Sequence, residues 1–265
     1  MSSSQATQPS GIPSLTLRDG RATVCLNRPA QHNRLEPADL EALISIFDQA
    51  DTDDSIRVLV LTATGRSFSS GFHLGALAER SQSGSSNHDA NAFERTVDRL
   101  ESLRVPTIAA LNGGVYGGAT DLALACDFRL GVQDMRMFMP AARLGIVYYQ
   151  SGLRRYVSRL GLNNAKKLFL TAQPAQAEEL LRMGYLDEVL PADGLMTRVD
   201  ELAAQLAGNA PLAVAAIKKS LNDLAAGRLD PAEHEAARRL CAASEDHKEG
   251  LRAWAEKRAP VFEGR

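Results

Sequence analysis

Ser14 to Leu17 and Ala22 to Leu26 read as short strands, and the turn dipeptide Asp19-Gly20 between them predicts that the chain opens with a β-hairpin. The period then changes: over Pro37 to Ala50 the apolar residues Leu40, Leu43, Ile44 and Phe47 recur at the three-four spacing of an amphipathic helix. Arg57 to Thr62 (RVLVLT) is a continuous apolar run short enough for a buried strand, and Thr107 to Leu111 and Asp127 to Leu130 repeat that signal, with a short helix over Leu122 to Cys126 between them. Strands separated by helical segments need crossover connections, which predicts an α/β fold with a largely parallel sheet system. From Asn163 onward the pattern is helical, over Ala165 to Leu170, Ala175 to Met183, Leu195 to Ala207, Pro211 to Ala226 and Pro231 to Ala255. Gly184, Pro191, Gly208-Asn209 and Gly227 supply the stops.

Two segments have no such pattern. Residues 1–12 are predicted to be a flexible tail, and the polar stretch Arg80 to Asn91 (RSQSGSSNHDAN) a mobile loop beside a site. The expected division is therefore a tail over 1–12, an α/β body over 13–195 and a helical C-terminal region over 196–265. Charge and composition narrow the function. With 30 Lys and Arg against 32 Asp and Glu, the net charge of −2 lacks the footprint of a nucleic-acid partner. No run approaches the roughly 20 apolar residues of a membrane span, and Met1 to Pro13 has no apolar signal region, so a cytoplasmic protein is expected. Cys25, Cys126 and Cys241 are isolated and read as reduced thiols. The histidines show no metal-ligand spacing, so no metal site is expected.

The candidate chemistry lies in two glycine-containing segments, each following a predicted buried strand: Gly65 to Leu74 (GRSFSSGFHL) and Leu111 to Leu122 (LNGGVYGGATDL). Glycine at a strand-to-helix junction lets backbone N–H groups turn outward, and a helix N-terminus adds its dipole, so two facing junctions would hold an oxyanion. A plainer reading is that Gly113 to Ala119 only permits close packing. The spacing matches neither a dinucleotide fingerprint nor a P-loop, and no Gly-x-Ser-x-Gly elbow surrounds Ser67, Ser69 or Ser70.

Several motifs in order carry a resemblance: Leu26 to Asn33 (LNRPAQHN), Ser67 to Phe72 (SFSSGF), Val105 to Gly113 (VPTIAALNG) running to Ala125-Cys126-Asp127, Ala210 to Lys218, and Ser244 to Arg258. Over about residues 12–265 the chain resembles the enoyl-CoA hydratase/isomerase (crotonase) superfamily. The resemblance implies a ββα spiral core and a helical C-terminal region used for trimerisation, giving a homotrimer or a dimer of trimers. It also implies an acyl-CoA thioester substrate, with coenzyme A part of that substrate and no separate cofactor. The backbone N–H groups of Phe72 and Gly118 would form the oxyanion hole, with their side chains almost free to vary.

An oxyanion hole moves no proton, so an acid or base is also needed. Family hydratases carry one glutamate three residues after the second oxyanion glycine, where this chain has Asp121, and a second after a proline, where it has Ala141. Asp121 would thus be the single acid/base carboxylate, whereas outside the motif it would read as an N-cap or a surface group. Tyr149 stands where some members place a catalytic aspartate, and Tyr148 matches a tyrosine of the methylmalonyl-CoA decarboxylase branch. Both could equally line an acyl pocket. His73 joins Ala141 and Tyr149 as a residue of the substrate pocket, but it lies one position after the histidine of the decarboxylase branch, so no proton transfer is assigned to it. Arg28 and Lys257 are the positions carried over for binding coenzyme A. The expected activity is of the enoyl-CoA hydratase/isomerase type. The alternatives are a methylmalonyl-CoA-type decarboxylase using Tyr148 and a non-catalytic acyl-CoA-binding protein.

Overall fold

The computed structural model describes residues 11–72 and 90–265, so His73 and most of the polar loop read for Arg80 to Asn91 lie outside the described residues. Strands β1 (Gly11–Arg18) and β2 (Arg21–Asn27) form the predicted antiparallel hairpin. Its turn residues Asp19 and Gly20 have φ of 49° and 75°, the paired left-handed geometry that the dipeptide signals. Gly11 and Ile12, assigned to the tail from the sequence, belong to β1. Helix α1 (Pro37–Thr52) follows, opened by a capping box in which the Asp39 carboxylate accepts from the Glu36 N–H at 2.8 Å.

A unit of two strands and a helix then recurs along the chain. The first turn is β3 (Val58–Ala63), β4 (Ser67–Ser69) and α2 (Ala90–Glu101); the second is β5 (Thr107–Leu111), β6 (Gly114–Tyr116) and α3 (Gly118–Ala125). The third is β7 (Phe128–Val132), β8 (Arg136–Phe138) and α4 (Gln150–Thr171), the last kinked at Gly161. After β9 (Ala175–Gln176), α5 (Ala177–Arg182) and β10 (Glu188–Leu190), the chain is helical: α6 (Leu195–Ala207), α7 (Pro211–Ala225), α8 (Pro231–Ala243) and α9 (Glu245–Glu256).

The two strands of each unit go to different sheets. The first strand of each unit (β3, β5, β7) enters a six-stranded sheet of order β1-β2-β3-β5-β7-β10, parallel from β2 onward, and the second (β4, β6, β8) a small sheet of order β4-β6-β8 closed by antiparallel β9. The chain thus spirals, each turn laying one strand beside its predecessor in both sheets. Val58, Leu59, Val60 and Leu61 are all buried, as a strand covered on both faces requires. The fold is α/β with the ββα spiral core that the resemblance implied. Among the described residues no helix is long and apolar enough to cross a membrane.

Ser244 divides the helix predicted over Pro231 to Ala255 by capping α9, its hydroxyl accepting from the His247 N–H at 3.0 Å. The C-terminal tail is tied back to α9: Asp246 accepts from the N–H groups of Glu263 and Gly264, and Glu249 accepts from Val261 N–H and the guanidinium of Arg258. Lys257 caps α9 in the left-handed conformation. The bonds from Arg258, with those from Val261 and Arg252, hold the Glu249 carboxyl at about 2, below its ordinary 4.5. A depressed carboxyl stabilises the docked tail above its ordinary value and ceases to do so as pH falls through the depressed one. Carbon-detected NMR titration is expected to give Glu249 a midpoint near 2, with the tail loosening between 4.5 and 2; a midpoint near 4.5 would contradict the docking.

Candidate active site

The spiral brings three strand ends of the small sheet together. Because β4, β6 and β8 are parallel neighbours, the residues leaving their C-terminal ends (Ser70 to Phe72, Gly117-Gly118, and Met139 to Ala141) emerge on one side of it. They line a cavity of about 340 Å³ together with Phe93, Glu94, Tyr148 and Tyr149, so five of the sequence-predicted site residues (Phe72, Gly118, Ala141, Tyr148 and Tyr149) meet on one surface. Ligand sites at the carboxyl ends of parallel strands are the general outcome of such topologies. Ser70 and Tyr116 also line a larger, more polar cavity of about 810 Å³ that carries Arg66 and Arg136.

The two glycine segments are held close. Gly71 has φ of +88°, and a Cβ there would lie 2.5 Å from the carbonyl oxygen of Tyr116 and 3.1 Å from the nitrogen of Gly118, so only glycine lets the chains approach. Gly118 is the first residue of α3, where a backbone N–H has no acceptor within its own helix and the helix dipole favours negative charge. A Cβ on Gly118 would meet the ring of Phe93 at 2.8 Å. Position 118 is therefore not free to vary as the resemblance implied, because a neighbouring aromatic ring fills the space a side chain would take.

Asp121 differs most from expectation. Its side chain is fully buried and contributes nothing to the cavity wall; Oδ2 accepts from Arg155 Nη1 at 2.7 Å and from the Tyr149 hydroxyl. Burial pushes its carboxyl above the ordinary range, with Arg155 and Tyr149 pulling the other way. The direct acid/base role read for Asp121 thus has no contact with the cavity through which to act. An aspartate is shorter than the family glutamate by one carbon–carbon bond, about 1.5 Å, and here the Tyr149 hydroxyl bridges from the cavity to it. It is neither the N-cap nor the surface group of the plainer reading.

Tyr149 is the N-cap residue of α4 by backbone position, and its ring stacks on Tyr148 with centroids 4.4 Å apart. Burial, then the Asp121 charge, holds its phenol well above the usual tyrosine range, so it stays neutral and keeps the proton that it donates in the hydrogen bond to Asp121. The Tyr148 hydroxyl lies 3.5 Å from that of Tyr149. Gly152 makes this arrangement possible: a Cβ there would come within 2.5 Å of the Tyr148 ring and 2.9 Å of Asp121 Oδ2.

The two positions read as coenzyme A ligands are not on the wall of this cavity. Arg28 forms a two-pronged bond to Asp39, 3.1 Å on each side, which ties the β2 exit to α1. No cluster of metal-ligating side chains occurs among the described residues, and burial pushes the Cys126 thiol up to about 12, too high for a nucleophile at neutral pH. Glu94, by contrast, was not singled out from the sequence, yet it lines the cavity. The signal was present: Phe93, Val97 and Leu100 recur at helical spacing, with Glu94, Asp98 and Glu101 repeating one residue later as a second stripe.

The family model described as enoyl-CoA hydratase/isomerase matches residues 17–265. The chain is 33% identical over 242 residues to the 2,3-dehydroadipyl-CoA hydratase of Escherichia coli, covering 91% of this chain and 94% of that one. It is 32% identical over 245 residues to the short-chain-enoyl-CoA hydratase of Clostridium acetobutylicum, covering 89% and 92%. The crystal structure of an enoyl-CoA hydratase from Bacillus anthracis superposes with a TM-score of 0.84 at 29% identity, over 96% of this chain and 100% of that one. With the match running through both glycine segments to the last residue, the chain belongs to the enoyl-CoA hydratase/isomerase family.

Proposed function

We propose that the enzyme polarises the carbonyl of an enoyl-CoA thioester between the N–H groups of Phe72 and Gly118 and moves a proton on the resulting enolate, so shifting a double bond. The observation that carries this reading is the meeting of Phe72, Gly118 and a largely apolar wall around one acyl-sized cavity. Pre-aimed donors stabilise charge that builds on the thioester oxygen only as the enolate forms, which lowers the barrier rather than merely tightening binding. The adjoining polar cavity with Arg66 and Arg136 suits a ligand that is apolar at one end and anionic at the other.

Double-bond isomerisation is favoured over hydration because Ala141 supplies no second carboxylate to hold a water. Tyr149, whose O–H is engaged in donating to Asp121, offers the cavity only its acceptor lone pairs, which position a substrate donor without exchanging a proton. The decarboxylase alternative is less well served, since a Tyr148 hydroxyl next to that of Tyr149 is poorly placed to receive a second carboxylate. Assembly into a homotrimer is proposed from the helical C-terminal region, where Leu240, Leu251 and Trp254 expose 60%, 62% and 87% of their surface in the single chain.

The test is incubation with 2-enoyl-CoA and 3-enoyl-CoA thioesters in deuterated water, followed by mass spectrometry. Interconversion with deuterium entering the acyl chain is expected. Carbon dioxide release from methylmalonyl-CoA would move the reading to the decarboxylase, and tight thioester binding without any product would move it to the non-catalytic acyl-CoA-binding alternative.

A further inference from the structure

Helices α2 and α4 lie side by side, joined by charge. Glu94, Asp98 and Glu101 form one stripe on α2 at the i, i+4, i+7 spacing of neighbours on a helix face. Arg155 on α4 donates to Asp98 at 2.6 Å and to Glu101 at 3.0 Å, and Arg154 also pairs with Glu101. These bonds fix the rotation and register of α2 against α4. One turn further along the stripe, toward the start of α4, Glu94 meets Ser151, whose hydroxyl donates to Oε1 at 3.2 Å. Glu94 is thereby carried onto the cavity wall, while its two stripe-mates are committed to arginines.

The adjacent residue sets its place relative to the oxyanion hole. Phe93 is 7% exposed, packs against Gly118, and has its ring centroid 6.0 Å from that of Phe72 and 6.2 Å from that of Tyr149. The residue following Phe93 is thus tied to both oxyanion segments. Among the described residues Glu94 is the one carboxylate on the cavity wall, since Asp121 is sealed behind Tyr149 and position 141 is alanine.

We propose that Glu94 is the catalytic acid/base carboxylate, presented from α2 instead of from the two family motif positions, with Ser151 as the residue that positions it. The proposal rests on the isomerase reading above. In the forward step the Glu94 carboxylate takes a proton from C2 of a 3-enoyl thioester, and the C–H electron pair moves into the conjugated system. The resulting dienolate places its negative charge on the thioester oxygen held by the two N–H groups. The carboxylic acid proton of Glu94, which exchanges with solvent while it is held there, is delivered to C4; the double bond moves to C2–C3, and the carboxylate is restored with no oxidant, reductant or co-substrate consumed. A single carboxylate suffices because it accepts one proton and donates one.

The experiment compares Glu94→Gln, Glu94→Asp and Asp121→Asn with the wild-type enzyme, following isomer interconversion, deuterium entry and thioester binding by calorimetry. Glu94→Gln is expected to lose about 100-fold or more in kcat, the usual contribution of a general acid/base, with thioester affinity within threefold of wild type. Glu94→Asp is expected to recover part of that loss, and Asp121→Asn to retain deuterium exchange, though with lower thermal stability. A wild-type enzyme that exchanges deuterium and a Glu94→Gln variant that does so within threefold of it would overturn the assignment while leaving the isomerase reading intact. A wild-type enzyme inert toward every enoyl thioester would instead overturn that reading.

Discussion

Replacing Arg155 with methionine is expected to lower stability by about 3–5 kcal/mol, the range seen when one partner of a buried ion pair is removed. The Arg155 side chain has no exposed surface and bonds to Asp98, Glu101 and Asp121. Methionine matches its length but leaves the buried carboxylates of Glu101 and Asp121 without that guanidinium. For a chain of this size, a loss of that order corresponds to a fall of roughly 10 °C in the melting midpoint. The pH dependence separates charge from packing. Burial tends to raise the Glu101 carboxyl, but Arg155, with Arg159 and Arg154, outweighs it and holds the group below its ordinary 4.5. The wild-type fold therefore carries stability from this group above 4.5 that is lost as pH falls through the depressed value. In the variant the guanidinium is gone, protonation relieves the unpaired charge, and the gap between the two proteins should narrow from pH 7 to pH 4. Chemical denaturation at both values checks this; a loss below about 1 kcal/mol at pH 7, or a gap that widens on acidification, would contradict the role given to Arg155.

That buried network shows where the amino-acid order is transparent and where it is not. The long strands were legible because burial on both faces leaves an unbroken apolar run, as in Val58 to Leu61, and the hairpin because Asp19-Gly20 selects its own turn. The small sheet was not, because strands of two or three residues such as Ser67–Ser69 and Arg136–Phe138 are too short to establish a period. Helix α2 was obscured by the polar stretch before it, although Phe93, Val97 and Leu100 mark its buried face. That the two glycine segments meet at one cavity could be read from motif order because backbone geometry at a glycine is encoded locally. Proton-transfer chemistry is not encoded that way. Whether Asp121 or Glu94 reaches the substrate depends on how the Tyr149 ring and the Arg155 guanidinium pack between α2, α3 and α4, contacts that span more than 25 residues of sequence and leave no spacing signal.

Gly118→Ala is expected to cut kcat by about 100- to 1000-fold, the loss seen when one oxyanion donor is removed, while leaving the fold nearly as stable as before. Alanine is the better helix former by about 1 kcal/mol, and Gly118 opens α3, so local propensity alone predicts a gain. Against that gain stands the ring of Phe93, whose atoms would lie 2.8, 3.0 and 3.3 Å from the new methyl group. Overpacking of this kind usually costs about 1–3 kcal/mol, so the two effects largely offset each other in stability. They do not offset in catalysis. If the helix end yields, the Gly118 N–H leaves the position of the thioester oxygen. If Phe93 yields, it takes α2, and with it Glu94, away from the substrate. A second substitution tells these apart: Phe93→Leu in the Gly118→Ala background removes the ring edge that the methyl meets and should restore at least tenfold of the lost kcat, although on its own it loosens the cavity wall. Steady-state kinetics on the best enoyl thioester, with melting curves for all four proteins, is the measurement. If Gly118→Ala kept wild-type turnover within threefold, neither the close packing of Phe93 on Gly118 nor the donor role of that N–H would survive, because the same methyl group tests both.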